Sequence, residues 1–216
     1  MPEIFYLESL ETMELSFSPI SPFVRMVKMA SFILEMENQI TEVDADTMSP
    51  DKNLSDANPL GKIPVLRDGE KTFFDSRVIL EYLDMRAGGD MIIPKNGPER
   101  FEVLTRAAMM VGILDAGVLI VYETRMRPEN KYVESYVERQ RDKIIRCLKK
   151  IGGMDTKYNN GRVPDVGEIG LACVLDYLDF RQLLDWRDYV PQLDSWLSDF
   201  ALSVPGYKES APRQKQ

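Results

Sequence analysis

Residues 13–18, MELSFS, alternate apolar and polar positions, which predicts a short strand. The period then changes. Phe23, Met26, Val27, Ala30, Ile33 and Leu34 recur at helical spacing and predict a helix reaching about residue 36. Pro22 suits its first turn, where a missing N–H costs nothing. Ser21 falls at the N-cap, where a side-chain oxygen accepts a backbone N–H. QITEV (39–43) reads as a second strand, and SPDKNLSDANPLGK (49–62) as loop with room for one short helix. IPVL (63–66) is a short buried strand, RDGEK a turn with an Asp-Gly signal, and TFF (72–74) the return strand. A helix from Ser76 to about Arg86 turns Val78, Ile79, Tyr82 and Leu83 inward.

The composition shifts at AGGDMIIPKNGPE (87–99), a Gly- and Pro-rich linker. Beyond it the pattern is helical throughout. One long helix runs from about 98 to 125 and closes at Arg127-Pro128, and a second runs from about 129 to 150 and stops at Gly152-Gly153. A third opens at PDVGEIGLACVLDYL (164–178), with Asp165 and Glu168 at capping-box spacing. A last helix, 190–202, carries Leu193, Trp196, Leu197 and Phe200, and the tail SAPRQKQ (210–216) reads as disordered. No repeat is visible, and no apolar run reads as the ~18–20 residues of a membrane span.

At 216 residues and 44% hydrophobic, the chain can build a sizeable core. A net charge of −8 argues against a broad nucleic-acid surface, which needs clustered Lys and Arg. The opening MPEIFYLESLETMEL lacks the basic start and apolar stretch of a signal peptide, so a cytoplasmic location is expected. Two distant cysteines, Cys147 and Cys173, form neither a disulfide framework nor a metal-ligand pattern. There is no histidine, which removes Ser-His-Asp and Cys-His catalysis and every His-containing zinc site. Chemistry here must use Ser, Tyr, carboxylates, Lys, Arg or a ligand's own reactive group, with no metal.

The order of elements, together with SPFVR (21–25), NPLGKIPVL (58–66), DSRVILEYLD (75–84) and the capping box before LAC (171–173), resembles a cytosolic, bacterial-type glutathione S-transferase over residues 13–207. The resemblance implies an α/β thioredoxin-like N-terminal domain (12–88), an all-α C-terminal helical bundle (97–207) and a homodimer; from the charge and the lack of a membrane-length apolar run, neither nucleic-acid nor membrane partners are expected. It also implies glutathione as co-substrate and a small hydrophobic electrophile as the other substrate. Relatives with matching segments begin at the strand, so residues 1–12 are either an arm or precede a start at Met13.

Glutathione is an anionic tripeptide with one thiol. A free thiol has a pKa near 8.5, and lowering it by two units takes about 2.7 kcal/mol. One hydroxyl hydrogen bond to a charged group supplies roughly 1.5–3 kcal/mol, and a helix N-terminus about 0.3–1 kcal/mol. A serine at a helix mouth is therefore sufficient. Ser21 is the first candidate and Ser18, at the strand end, its rival; read without the resemblance, Ser21 is an N-cap. Pro64 alone reads as an edge-strand proline. The resemblance implies a cis Ile63-Pro64 bond, with Ile63 pairing the cysteinyl backbone of glutathione. Asp75 and Ser76 read either as a helix start or as the receivers of the γ-glutamyl ammonium and carboxylate. Asp75 is a departure, since most relatives have Glu there. Lys62 pairs the glycyl carboxylate or is simply solvated, and Phe23, beside the helix-opening proline, completes the binding set.

For the electrophile, Phe17, Met109, Met110, Ile113 and Leu114 are pocket candidates that read equally well as core. Tyr122 and Arg125 could polarise a substrate, and Cys173 reads as core. The expected activity is conjugation of the thiolate to a soft electrophilic carbon. The alternatives are a non-catalytic binding or regulatory relative and a glutathione-dependent peroxidase. No Cys lies near the helix mouth, which disfavours thiol-disulfide exchange.

Overall fold

The computed structural model describes residues 12–49, 51–153 and 161–213. The sequence question over residues 1–12 lies almost wholly outside them. Strands β1 (Met13–Phe17), β2 (Ile40–Asp44), β3 (Val65–Asp68) and β4 (Lys71–Phe73) form a mixed sheet of order β2-β1-β3-β4. β1 runs parallel to β2 and antiparallel to β3, which pairs antiparallel with β4. Helices α1 (Pro22–Ile33), α2 (Lys52–Ala57) and α3 (Ser76–Arg86) are interleaved with these strands. α4 (Gly97–Met126), α5 (Glu134–Gly152), α6 (Val166–Arg181) and α7 (Leu193–Ser203) follow as an all-helical part. Met13 and Leu15 of β1 are fully buried, as are Met26, Val27 and Ala30 of α1, so the sheet and its first helix share a core.

Several elements depart from the sequence expectations. α1 stops at Ile33 because the chain turns over: Glu35 has φ 56°, and the Met36 N–H donates to the Ser31 carbonyl at 2.8 Å. β3 begins at Val65, since Pro64 has no N–H for the ladder. On α3 the buried stripe is Ile79, Leu80 and Leu83, while Val78 faces solvent. A 3-10 turn, Glu129–Lys131, precedes α5, whose start at Glu134 follows a cap by Glu123: its carboxylate accepts the Val133 N–H at 3.1 Å. A second 3-10 turn, Trp186–Asp188, precedes α7, which starts at Leu193 instead of 190. The tail is placed as far as Arg213, whose N–H donates to the Pro19 carbonyl at 3.1 Å, so its expected disorder does not hold for 210–213. α4 is long and apolar enough to cross a membrane by composition, which corrects the reading of the sequence. In the fold it is a central helix packed on α5 and α6, and that position accounts for its apolar face.

The capping box is present: Asp165 accepts the Gly167 and Glu168 N–H groups, and Glu168 accepts the Asp165 N–H. The connection between α3 and α4 is fixed by Asp84, whose buried carboxylate accepts the N–H groups of Asp90, Met91 and Ile92 at 3.1, 3.1 and 2.8 Å. Ile92 in turn accepts the Val166 N–H at the mouth of α6.

Candidate active site

β1 delivers the chain into a tight turn, 18–21, in which the Ser21 N–H donates to the Ser18 carbonyl at 3.1 Å. Ser21 then caps α1. Its backbone is extended and its Oγ accepts the Val24 N–H at 3.3 Å, longer than the ~2.9–3.0 Å typical of such bonds. Among the described residues the Ser21 O–H donates to no protein acceptor, which leaves its proton available to a ligand. Ser21 is half-buried, and Ser18 is 9% exposed. Phe23, the second residue of α1, packs partly buried against the core.

The sheet register places the remaining candidates. Ser16 stands opposite Val65 and Leu66 opposite Phe73, so the end of β1, the start of β3 and the end of β4 lie at one end of the sheet. β3 lies between the other two. With ~4.8 Å between strands, β1 and β4, which lead into the 18–21 turn and toward Asp75-Ser76, are ~10 Å apart. The Ile63-Pro64 bond is cis, as the resemblance implied, and the Phe74-Asp75 bond is cis as well. The loop before Ile63 is held by buried Asn58, whose side chain donates to the Lys62 carbonyl at 2.8 Å and accepts the Leu60 N–H at 3.1 Å.

Asp75 caps α3 by accepting the Arg77 N–H at 3.0 Å, and its carboxylate also takes both arms of the Arg77 guanidinium, at 3.2 and 2.8 Å. That bond to Arg77 is the main reason its carboxyl sits below the usual carboxylate range. Ser76 is buried at the first position of the helix. From α4, Asp115 enters the same field. Burial pushes its carboxyl up and Asp75 adds to that, while Lys62 and Arg77 pull it down. Lys62, Asp75, Arg77 and Asp115 therefore share one charge field. Arg77 and Asp115 were not singled out from the sequence. The available signal was a lone acid in the apolar run of α4, GILDAGVLIV (112–121).

The apolar pocket expected from the sequence is divided. Phe17 lines a cavity of about 590 Å³ with Ser18, Ser21, Arg25, Lys28 and Arg213. This cavity is on the β2 side of the turn, away from Lys62, Pro64 and Asp75. Met109 and Met110 line a different cavity, of about 700 Å³, with Arg106, Leu171 and Trp196. Ile113 and Leu114 are buried core. Tyr122 and Arg125 are exposed toward the C-terminal end of α4, where Arg125 acts electrostatically on the buried Tyr177. Cys173 is fully buried and burial lifts its thiol to about 12, an inert core position. Among the described residues no group of three or more His, Cys, Asp or Glu side chains could hold a metal ion.

The family model "Glutathione S-transferase, N-terminal domain" matches residues 20–86. An uncharacterised GST-like protein, YibF, of Escherichia coli (strain K12) is 34% identical over 175 residues, covering 79% of this chain and 84% of its own. A crystal structure of a glutathione transferase family member from Pseudomonas fluorescens Pf-5 with bound glutathione superposes with TM-score 0.85 at 36% identity, over 94% of this chain and 100% of that one. A second structure from that organism holds S-(propanoic acid)-glutathione and superposes with TM-score 0.81 at 36% identity, with the same coverage.

Proposed function

The chain belongs to the glutathione S-transferase family, and from that premise we propose that it binds reduced glutathione across the end of the sheet and transfers it to a small hydrophobic electrophile. The observation that supports this most is the strand order, which puts β3, entered through the cis Ile63-Pro64 bond, between β1, which leads into the 18–21 turn, and β4, which leads to Asp75-Ser76, with ~10 Å from β1 to β4 at strand spacing. That is a reach suited to an extended tripeptide.

In this reading the Ser21 hydroxyl donates to the sulfur and holds it as thiolate at the mouth of α1. Ser18 stands beside it as a second donor. The backbone of Ile63 pairs with the cysteinyl residue in strand fashion, since the following proline leaves the ladder. At the far corner the zwitterionic γ-glutamyl end meets Asp75, which takes its ammonium, and Ser76 with the N-terminus of α3, which takes its carboxylate. Arg77 already neutralises Asp75, so the ligand enters an exchange of ion pairs, with Asp115 attracting Arg77 through space. Lys62 faces the glycyl carboxylate, and Phe23 shapes the floor. The thiolate attacks an electrophilic carbon: a C–S bond forms, and either a leaving group departs with the bond's electron pair or a proton is taken up at the neighbouring carbon. A carbon-substituted glutathione such as that held by the Pseudomonas relative is the class of product this chemistry makes. Residues 12–88 would form the glutathione-holding domain and 97–207 the helical one, in a cytoplasmic homodimer.

Titration calorimetry with reduced glutathione tests the reading, with thiolate absorbance followed against pH. Wild type should bind at micromolar to low millimolar affinity with the bound thiol well below its free value. Losing one hydrogen bond to a charged sulfur should slow conjugation about 10–100-fold in Ser21→Ala. Ser21→Gly preserves most of the capping free energy, within a few tenths of a kcal/mol, so the same loss there assigns the effect to the hydroxyl and not to the helix. A folded protein without measurable affinity for glutathione, or Ser21 variants with an unchanged thiol pKa, would overturn the assignment.

A further inference from the structure

After α7 the chain does not end at the surface of the helical part. It runs back across α1 to the 18–21 turn. Gly206 makes the approach possible: its φ is 78°, and a Cβ there would fall 2.5 Å from Phe32 Cβ. The next residue, Tyr207, joins a buried ion pair. Arg25 of α1 is 4% exposed, and its Nη1 lies 2.6 Å from Asp176 Oδ2 on α6. The Tyr207 O–H donates to the other carboxylate oxygen, Oδ1, at 2.9 Å. Arg25 Nη2 reaches the Tyr207 carbonyl at 3.4 Å, and its guanidinium lies 5.0 Å from the centre of the tyrosine ring. Farther on, Ser210 is buried, and the Arg213 N–H closes on the Pro19 carbonyl at 3.1 Å.

These attachments bracket one short stretch of chain. Pro19 sits inside the turn that presents Ser21. Arg25 is the residue whose N–H donates to the Ser21 carbonyl, at 3.1 Å, and so closes the first turn of α1. Within the turn the Ser21 N–H donates to the Ser18 carbonyl at 3.1 Å; α1 adds the Arg25 bond and the cap bond of 3.3 Å, and the tail adds the Arg213 bond to Pro19. A buried guanidinium is costly unless it is paired, so Arg25 ties α1 to the charge and ring that face it, while its buried Nε has no hydrogen-bond partner among the described residues. Asp176 supplies the charge, and Tyr207 holds the carboxylate and covers the cation.

We infer that residues 207–213 form a strap that fixes the 18–21 turn against α1, with Tyr207 as its positioning residue. This rests on the assignment of Ser21 to the glutathione sulfur. Tyr207 touches no substrate; it acts through Arg25. Its contribution is to keep the Ser21 hydroxyl where a sulfur can accept its proton, and small misplacements of such groups are expensive in rate.

Two variants test this. Tyr207→Phe keeps the ring over Arg25 and removes the bond to Asp176. A chain ended after Lys208 keeps Tyr207 and removes the contact to Pro19. The first measurement is amide hydrogen exchange of the ligand-free proteins, which needs no glutathione. Both variants should exchange faster by about 5–10-fold over 18–25, the factor for ~1 kcal/mol of lost local stability, with α4 and α5 unchanged. The second is the pKa of the bound thiol with kcat/KM for a conjugation reaction. The thiol should titrate higher and kcat/KM fall about 3–10-fold in both variants, at an unchanged far-ultraviolet spectrum. Unaltered exchange over 18–25 in both variants would overturn the strap. Faster exchange with an unchanged thiol pKa, in proteins that bind glutathione, would overturn the positioning role. If wild type itself binds no glutathione, it is the assignment of Ser21 that fails, and the exchange result decides the strap on its own.

Discussion

Asp75 and Asp115 share the charge field of Lys62 and Arg77 and are tuned in opposite directions. Asp115 is the only acid between Glu102 and Glu123 on α4. Burial raises its carboxyl and Asp75 raises it further, against the pull of Lys62 and Arg77. A raised acid is one whose ionised form the fold disfavours. Its stabilising share is complete below the ordinary carboxylate range and is lost as pH rises through the folded value. Asp115→Asn should therefore melt higher than wild type at pH ~7, with the difference vanishing below pH ~4 as both side chains become neutral. Asp75 runs the other way, because the bond from Arg77 lowers its carboxyl more than burial lifts it. Its contribution is present above the ordinary range and is lost as pH falls through the folded value. Asp75→Asn should melt lower at neutral pH and converge on wild type in acid. Calorimetric scans of the two variants at both pH values check the pair. A lower melting point for Asp115→Asn at neutral pH would mean that its attraction to Arg77 outweighs its burial.

Two helices here are begun by their own sequences. α3 is opened by Asp75 and α6 by the box of Asp165 and Glu168, all within a few residues of the helices they start, which is why those starts were legible. The cis Ile63-Pro64 bond was reached only through the resemblance of NPLGKIPVL, since the proline alone reads as an edge-strand residue. What the sequence concealed depends on partners far along the chain. The tail is ordered to Arg213 by a carbonyl on Pro19, and Met110, with its neighbours Ile113 and Leu114, is drawn into the α4–α6 contact, where a Cβ at Gly170 would fall 2.8 Å from Met110 Cβ. Asp84 shows the same dependence within reach of a single substitution. Three N–H groups of the connection converge on its buried carboxylate. Asp84→Ala would leave them unpaired, at a cost of about 3 kcal/mol or more, since bonds to a charged acceptor are worth roughly 1.5–3 kcal/mol each in net terms. Urea unfolding should show that loss as a lower midpoint with an unchanged slope. A loss below ~1 kcal/mol would mean that water replaces the carboxylate without penalty.

At the scale of the whole molecule, the homodimer proposed above needs an apolar face, and α3 with the start of α4 offers one. Val78 and Met85 are 48% and 60% exposed, and their seven-residue spacing sets them on one side of α3. Glu81, between them on that side, pairs with Arg100 at the start of α4. Large apolar side chains exposed together are what a monomer avoids and an interface uses. The net charge of −8 works against association, since two such protomers repel. Screening shortens that repulsion to about 8 Å at physiological salt, while apolar burial is left intact. The dimer should therefore tighten as salt is added, the reverse of an interface built on ion pairs. Sedimentation equilibrium at low and high salt reads this directly. Wild type should sediment as a dimer, more tightly at high salt. Val78→Glu or Met85→Glu should shift it to monomer with helix content unchanged, because neither side chain is buried in the protomer. A wild type that stays monomeric at every salt and concentration, or a Met85→Glu protein that stays dimeric, would move the interface off this face.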